Sequence, residues 1–242
     1  MTTYLKMELK RLLRNRRVVI FSLLMPALLL LVFGGLNKGQ TLDGASVTAY
    51  LMVSLGVFGS MSSAMSLGGS IALERGIGWN RQLRLTPLRP SRYVAIKLLL
   101  SFLMALPPLA VVYVLGAITL GVHLPAGTWA LVAIGSWLGA LPFAALGLVI
   151  GYIATPESVQ PISGLLTIAL AAFGGLWVPV ETMPRVMRDI AELTPAYWVG
   201  QVARSPLFHG SLNLHAVAVL LAWAVGLGFV ALRRFRADTA RA

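Results

Sequence analysis

The stretch from Leu98 to Pro156 runs for 59 residues without one Asp, Glu, Lys or Arg. A helix crossing the hydrocarbon of a bilayer needs about 20 apolar residues. The stretch therefore holds two crossings, with His123-Leu124-Pro125-Ala126-Gly127 as the turn between them. Further neutral runs occupy 44–73, 158–180 and 205–232, and an apolar run spans Val18–Leu36. The reading is an all-α integral membrane protein, a single transmembrane domain over 1–242. Its six expected spans are Val18–Leu36, Tyr50–Leu73, Val94–Leu120, Thr128–Ala154, Val159–Val180 and Leu214–Leu232. Composition agrees. Only 12% of the residues are charged and 57% are hydrophobic, whereas a soluble domain carries about 25% charged residues.

The charges set the orientation. With a cytoplasmic N-terminus, sixteen of the twenty Lys and Arg fall on cytoplasmic segments. Only Lys38, Arg185, Arg188 and Arg204 lie outside. Acids divide four and four, so the net charge of +12 sits inside. Positive residues accumulate on the cytoplasmic flanks of spans, and this explains the basicity without nucleic acid as a partner. Six spans return the tail Arg233–Arg241 to the cytoplasm. The first apolar run is too long for the core of a cleavable signal and lacks a small-residue cleavage pattern.

Residues 3–17 read as an amphipathic helix. Leu5, Leu9, Leu12 and Leu13 fall on one face, and Lys6, Lys10, Arg14 and Arg17 on another. Such a helix lies on the inner leaflet, or the segment is simply the positive flank of the first span. Tyr50, Tyr93, Trp129, Tyr152 and Trp177 stand near span ends, where aromatic belts form. Pro26, Pro107, Pro108 and Pro142 fall inside spans, which neighbouring groups tolerate by satisfying the freed carbonyls. The second span is rich in Gly and Ser, a pattern for close packing or for the wall of a pathway.

Several chemistries are excluded by residue type. Without cysteine there is no disulfide or thiolate site. No G-x-x-x-x-G-K-[ST] loop is present, so the chain has no phosphate-loop machinery for ATP. His123, His209 and His215 are scattered on expected external segments, which gives no metal site and no base for a serine nucleophile. Glu74, Glu157 and Lys97 are read as interfacial, leaving no acid within a span. Secondary carriers generally place a coupling Asp, Glu or His there, but an ATP-independent carrier or channel stays open as the alternative.

Two connections are more than linkers. In 72–93, Leu83 and Leu85 alternate with Arg81 and Arg84 until Thr86-Pro87 ends any helix. This pattern suits a short surface helix that lies on the membrane or docks into a partner's groove. Before the last span, 181–205 reads as two short helices. Thr182 is expected to cap the first, with Pro184 in its first turn. Val186, Met187, Ile190 and Leu193 then oppose Arg185, Arg188, Asp189 and Glu192. Thr194-Pro195 separates the two helices. The segment dips into the interface, closes a pathway, or packs as a re-entrant element.

The residues ERGIGWNRQLRLTPLRPSRYVAIK resemble the E-R-x-x-G…L-R-x-T-P…K stretch of type-2 ABC transporter permeases. GGLWVPVETMPRVMRDIAELTPAYW resembles that family's G-x-x-x-P…M-P…P-x-x-W segment. Length and span number agree as well, so the resemblance covers nearly the whole chain. It departs at Gly76-Ile77-Gly78-Trp79, where many relatives carry a second acid and a Gly-Thr pair. The resemblance implies the transmembrane permease subunit of an ATP-driven exporter in the bacterial plasma membrane. Segment 72–93 would contact the ATPase through Glu74, Arg75, Leu83, Arg84, Thr86 and Pro87. The external helical hairpin would gate the pathway with Pro179, Met183, Pro184 and Pro195. No cofactor is expected in this chain; ATP and Mg belong to two copies of a partner ABC ATPase. A second permease chain, identical or a sister, and membrane lipid complete the expected assembly. The small and apolar spans two and five suit an amphiphilic drug, antibiotic or lipid-like substrate.

Overall fold

The computed structural model describes residues 16–42, 44–78, 90–208 and 213–241. Helix α1 (Arg16–Leu29) continues into a π turn at Leu30–Gly34. A two-residue ribbon pairs Thr41–Leu42 with Ala45–Ser46, a small exception to the all-α expectation. Then follow α2 (Val47–Ser66) and α3 (Gly68–Gly76), α4 (Pro90–Met104) and α5 (Leu106–Ile118), and α6 (Ala126–Leu138) and α7 (Leu141–Ile153). Each of these pairs makes one long apolar helical stretch with a short break in it. Helix α8 (Val159–Phe173) leads to the short α9 (Arg185–Glu192) and α10 (Pro195–Arg204), and α11 (Leu214–Arg241) is last.

Among the described residues four helices are long and apolar enough to cross a membrane: Val47–Gly76, Arg92–Ile118, Ala126–Ile153 and Leu214–Ala237. Shorter apolar helices, Ser22–Gly34 and Val159–Phe173, stand where the first and fifth spans are expected. The turn read at 123–127 lies at the junction of α5 and α6, with Ala126 and Gly127 already in α6. The expected interfacial helix over 3–17 lies almost entirely outside the described residues.

The Gly- and Ser-rich second crossing forms the centre. In its most apolar window 83% of the residues are buried, against 17% for the last crossing. In lipid, helices gain little from hiding apolar surface from one another, so close backbone contact must supply the attraction. The glycines provide it. A Cβ at Gly147 would come within 2.8 Å of the Met65 backbone, and one at Gly151 within 2.6 Å of the Gly68 carbonyl. Gly147 and Gly151 are four apart on α7, the spacing that exposes backbone along one helix face.

The serines of α2 answer the prolines of the next crossing. Pro107 and Pro108 have no N–H, so the carbonyls one turn earlier lose their helical donors. The Ser63 hydroxyl donates to the Met104 carbonyl, which Pro108 leaves free, at 2.5 Å, and Ser60 donates to the Ala105 carbonyl, at the break between α4 and α5, at 3.0 Å. Trp137 Nε1 donates to the Phe102 carbonyl at 3.1 Å while its ring stacks on Phe102. Gly59 leaves room for both Pro26 and Pro108, whose atoms lie 3.0 Å from where a Cβ would be. Close packing is thus what most of the small residues of α2 do.

The aromatic belt is corrected in part. Tyr50, Tyr93 and Tyr152 are buried against other helices instead of facing the membrane interface.

Candidate functional site

The two stems of the connection between the second and third crossings are joined by a buried polar cluster. Glu74, near the end of α3, directs Oε1 to Lys97 Nζ at 2.7 Å and Oε2 to the Tyr93 hydroxyl at 2.5 Å. Side-chain exposure is 3% for Glu74 and 0% for Lys97. An isolated ion would be prohibitive at such a site; here each charge has an opposite one within hydrogen-bond reach. The Lys97 ammonium also lies 5.6 Å from the Tyr93 ring centroid. Glu74 and Lys97, read from the sequence as interfacial, turn their side chains into the bundle and pair there. Glu157 does lie on the exposed loop after α7, where hydrogen bonds from its own backbone and Thr155 hold its carboxyl below the usual range.

Neighbouring helices are tied to the same cluster. Tyr93 stacks on Phe235 of α11 at 5.3 Å, and Tyr152 of α7 meets Phe235 edge-on at 5.8 Å. Arg75 turns the other way and donates Nη1 to the carbonyls of Gly151 and Ala154, at 3.1 and 3.3 Å. These are end-of-helix acceptors of α7, where a cation also favours the negative end of the helix dipole. Glu74 and Arg75 thus brace the helix ends. Leu83, Arg84, Thr86 and Pro87 lie outside the described residues.

At the opposite end of these crossings, α9 and α10 confirm the expected pair of short helices. Thr182 does not cap the first; its hydroxyl donates back to the Pro179 carbonyl, and Pro184 occupies the cap position. Thr194 is the working cap, accepting from Tyr197 N–H, with Pro195 next to it. Met183 is buried with Val180 and Ala191, whereas Pro184 is exposed. Pro195 is buried at the start of α10, and Pro179 is half-buried. Helix α10 packs on the long helices, with Ala196, Val199 and Ala203 buried. Arg204, counted as external by charge, is 6% exposed. It donates to Ser54 Oγ and the Gly175 carbonyl, each at 3.0 Å, with its guanidinium 4.7 Å from the Tyr50 ring centroid. Gly175 takes φ +74, a conformation that glycine adopts without strain.

The ABC-2 type transporter family profile matches residues 1–208. The chain belongs to the ABC-2 type transporter family. It is 33% identical over 217 residues to "Putative transport permease YvfS" of Bacillus subtilis (strain 168), covering 89% of each chain. The resemblance read from the two motifs is thereby shown, and with it a membrane transport permease.

Within this ABC-2 type permease, three features escaped sequence reading. The pairing of Lys97 with Glu74 is not readable from their spacing, although a lysine six residues into the helical stretch Arg92–Ile118 is a signal by itself, because charges are expensive there. Arg204 was assigned by charge counting alone. The Gly147–Gly151 spacing was a legible packing signal. Among the described residues no cluster of His, Cys, Asp and Glu is arranged to hold a metal ion.

Proposed function

We propose that the chain is the membrane subunit of an ATP-driven exporter, working in the bacterial plasma membrane with both termini cytoplasmic and six crossings. Two permease chains, identical or sisters, would pair with two copies of an ABC ATPase that binds ATP and Mg. Closure of the ATPase dimer would move the 72–93 segment, and the crossings would follow to alternate access. The observation that carries this reading is the joining of the two stems of that segment by Glu74, Tyr93 and Lys97. A loop with rigidly joined stems is suited to pass on a push, and family membership supplies the ATPase as the source of it.

Segment 181–205 would close the outer end of the pathway through Pro179, Met183, Pro184 and Pro195. Spans two and five are the proposed wall. Ser62, Ser66, Gly69 and Ser70 on the second, and Gln160 and Gly164 on the fifth, are partly or fully exposed. That surface of small hydroxyls and one amide beside apolar residues suits an amphiphilic drug, antibiotic or lipid-like molecule.

Co-expression with the cognate ATPase tests the reading. The isolated permease is expected to hydrolyse no ATP, and the complex to hydrolyse it. Leu83→Asp and Arg84→Glu should insert normally yet lose the ATPase in a pull-down, since a charge forced into a desolvated apolar groove costs several kcal/mol. Normal capture and export by both variants would remove 72–93 from the coupling role.

A further inference from the structure

We infer that Lys97, with Tyr93, is a positioning residue that makes the two stems of the 77–92 connection a single lever. This inference rests on the export reading above and says which atoms perform the transmission. On that reading segment 72–93 receives a push, and a connection whose two flanking helices are free of each other only splays when pushed. Here the carboxylate of Glu74 on one stem has both oxygens engaged by the other: Oε1 by Lys97 Nζ at 2.7 Å and Oε2 by the Tyr93 hydroxyl at 2.5 Å. Charge-assisted bonds in a dry site are short, directional and steeply dependent on distance. Apolar contacts at the same place would let the helices slide.

The joint also has outputs. Arg75, adjacent to Glu74, holds the carbonyl end of α7 through Gly151 and Ala154. Tyr93, adjacent to the joint on the other stem, is stacked on Phe235 of α11. A displacement of either stem is therefore imposed on the ends of the second, third, fourth and last crossings together. Stability does not explain the arrangement, because well-packed apolar residues commonly hold a protein as well as a buried ion pair does. What a hydrocarbon pair would not supply is fixed relative geometry.

The test uses the full chain bound to its ATPase subunit. Because the chain has no cysteine, Val186→Cys on exposed α9 gives a single labelling site at the far end of the molecule. The readout is its reaction rate with a membrane-impermeant maleimide, with and without ATP and vanadate. In the otherwise unaltered chain the nucleotide should change this rate. Lys97→Met should still capture the ATPase and permit hydrolysis, but the nucleotide-dependent change should be lost. The swap Glu74→Lys with Lys97→Glu should restore it. Should the methionine variant fail to fold, Lys97→Arg keeps the charge and must keep the response. An undiminished response in Lys97→Met, no restoration by the swap, or a Lys97→Arg chain that folds without responding overturns the inference alone. Failure of the Val186→Cys chain to capture any ATPase overturns the export reading, and the inference with it.

Discussion

The Ser63 hydroxyl lies 2.5 Å from the Met104 carbonyl, the acceptor that Pro108 leaves without a helical donor. The serine and the proline are therefore energetically linked although they belong to different crossings. Ser63→Ala should lower stability by about 1 kcal/mol, near the upper part of the range for hydrogen bonds inside membranes. Pro108→Ala supplies a new N–H to the same carbonyl, so the loss from Ser63→Ala should shrink in that background. A double-mutant cycle on unfolding in mixed micelles reads the coupling, and additive losses would argue against it.

The glycines of the α3–α7 contact should be far more sensitive than glycines elsewhere. Gly151→Ala would set a methyl 2.6 Å from the Gly68 carbonyl, whereas the same change at Gly164 meets nothing within 4 Å. Overpacking of this kind costs about 1–3 kcal/mol. Gly151→Ala should reduce folded yield and thermal midpoint, and Gly164→Ala should leave both unchanged. Equal behaviour of the two variants would mean that the helices part easily.

Arg204 fixes α10 to α2. Arg204→Ala removes donors to Ser54 and to the Gly175 carbonyl, and hydrogen bonds from a charged group contribute about 1.5–3 kcal/mol. The expected outcome is loss of protease resistance in 175–205 with the crossings still inserted. Arg204→Lys should recover little, since one ammonium does not match the planar fork over the Tyr50 ring. Limited proteolysis in vesicles distinguishes these results.

Both termini are expected in the cytoplasm on the charge distribution. A reporter fused after Ala242 should be active only if it is a cytoplasmic reporter, and one fused at Gly127 should behave as external. An external C-terminus would mean that either Ser22–Gly34 or Val159–Phe173, the two shorter apolar helices, fails to cross.

Much was legible in one dimension. Apolar runs placed the crossings, and Thr194-Pro195 marked the start of α10 correctly. The Glu-Arg and Leu-Arg-x-Thr-Pro motifs pointed to the family. Misreadings fell on residues whose type is compatible with two environments. Tyr50, Tyr93 and Tyr152 suit an interface belt as well as a buried contact, because a tyrosine has an apolar body and a polar tip.

Local apolar length and the sign of nearby charge are enough to place this chain in a membrane and to outline most of its helices. Which charges turn inward depends on packing between distant parts of the chain. Glu74 and Lys97 are 23 residues apart, and Arg204 is 150 residues from Ser54. A buried ion is tolerable only with its partner in place, and that partner is brought there by the packing of other helices. No local pattern records it.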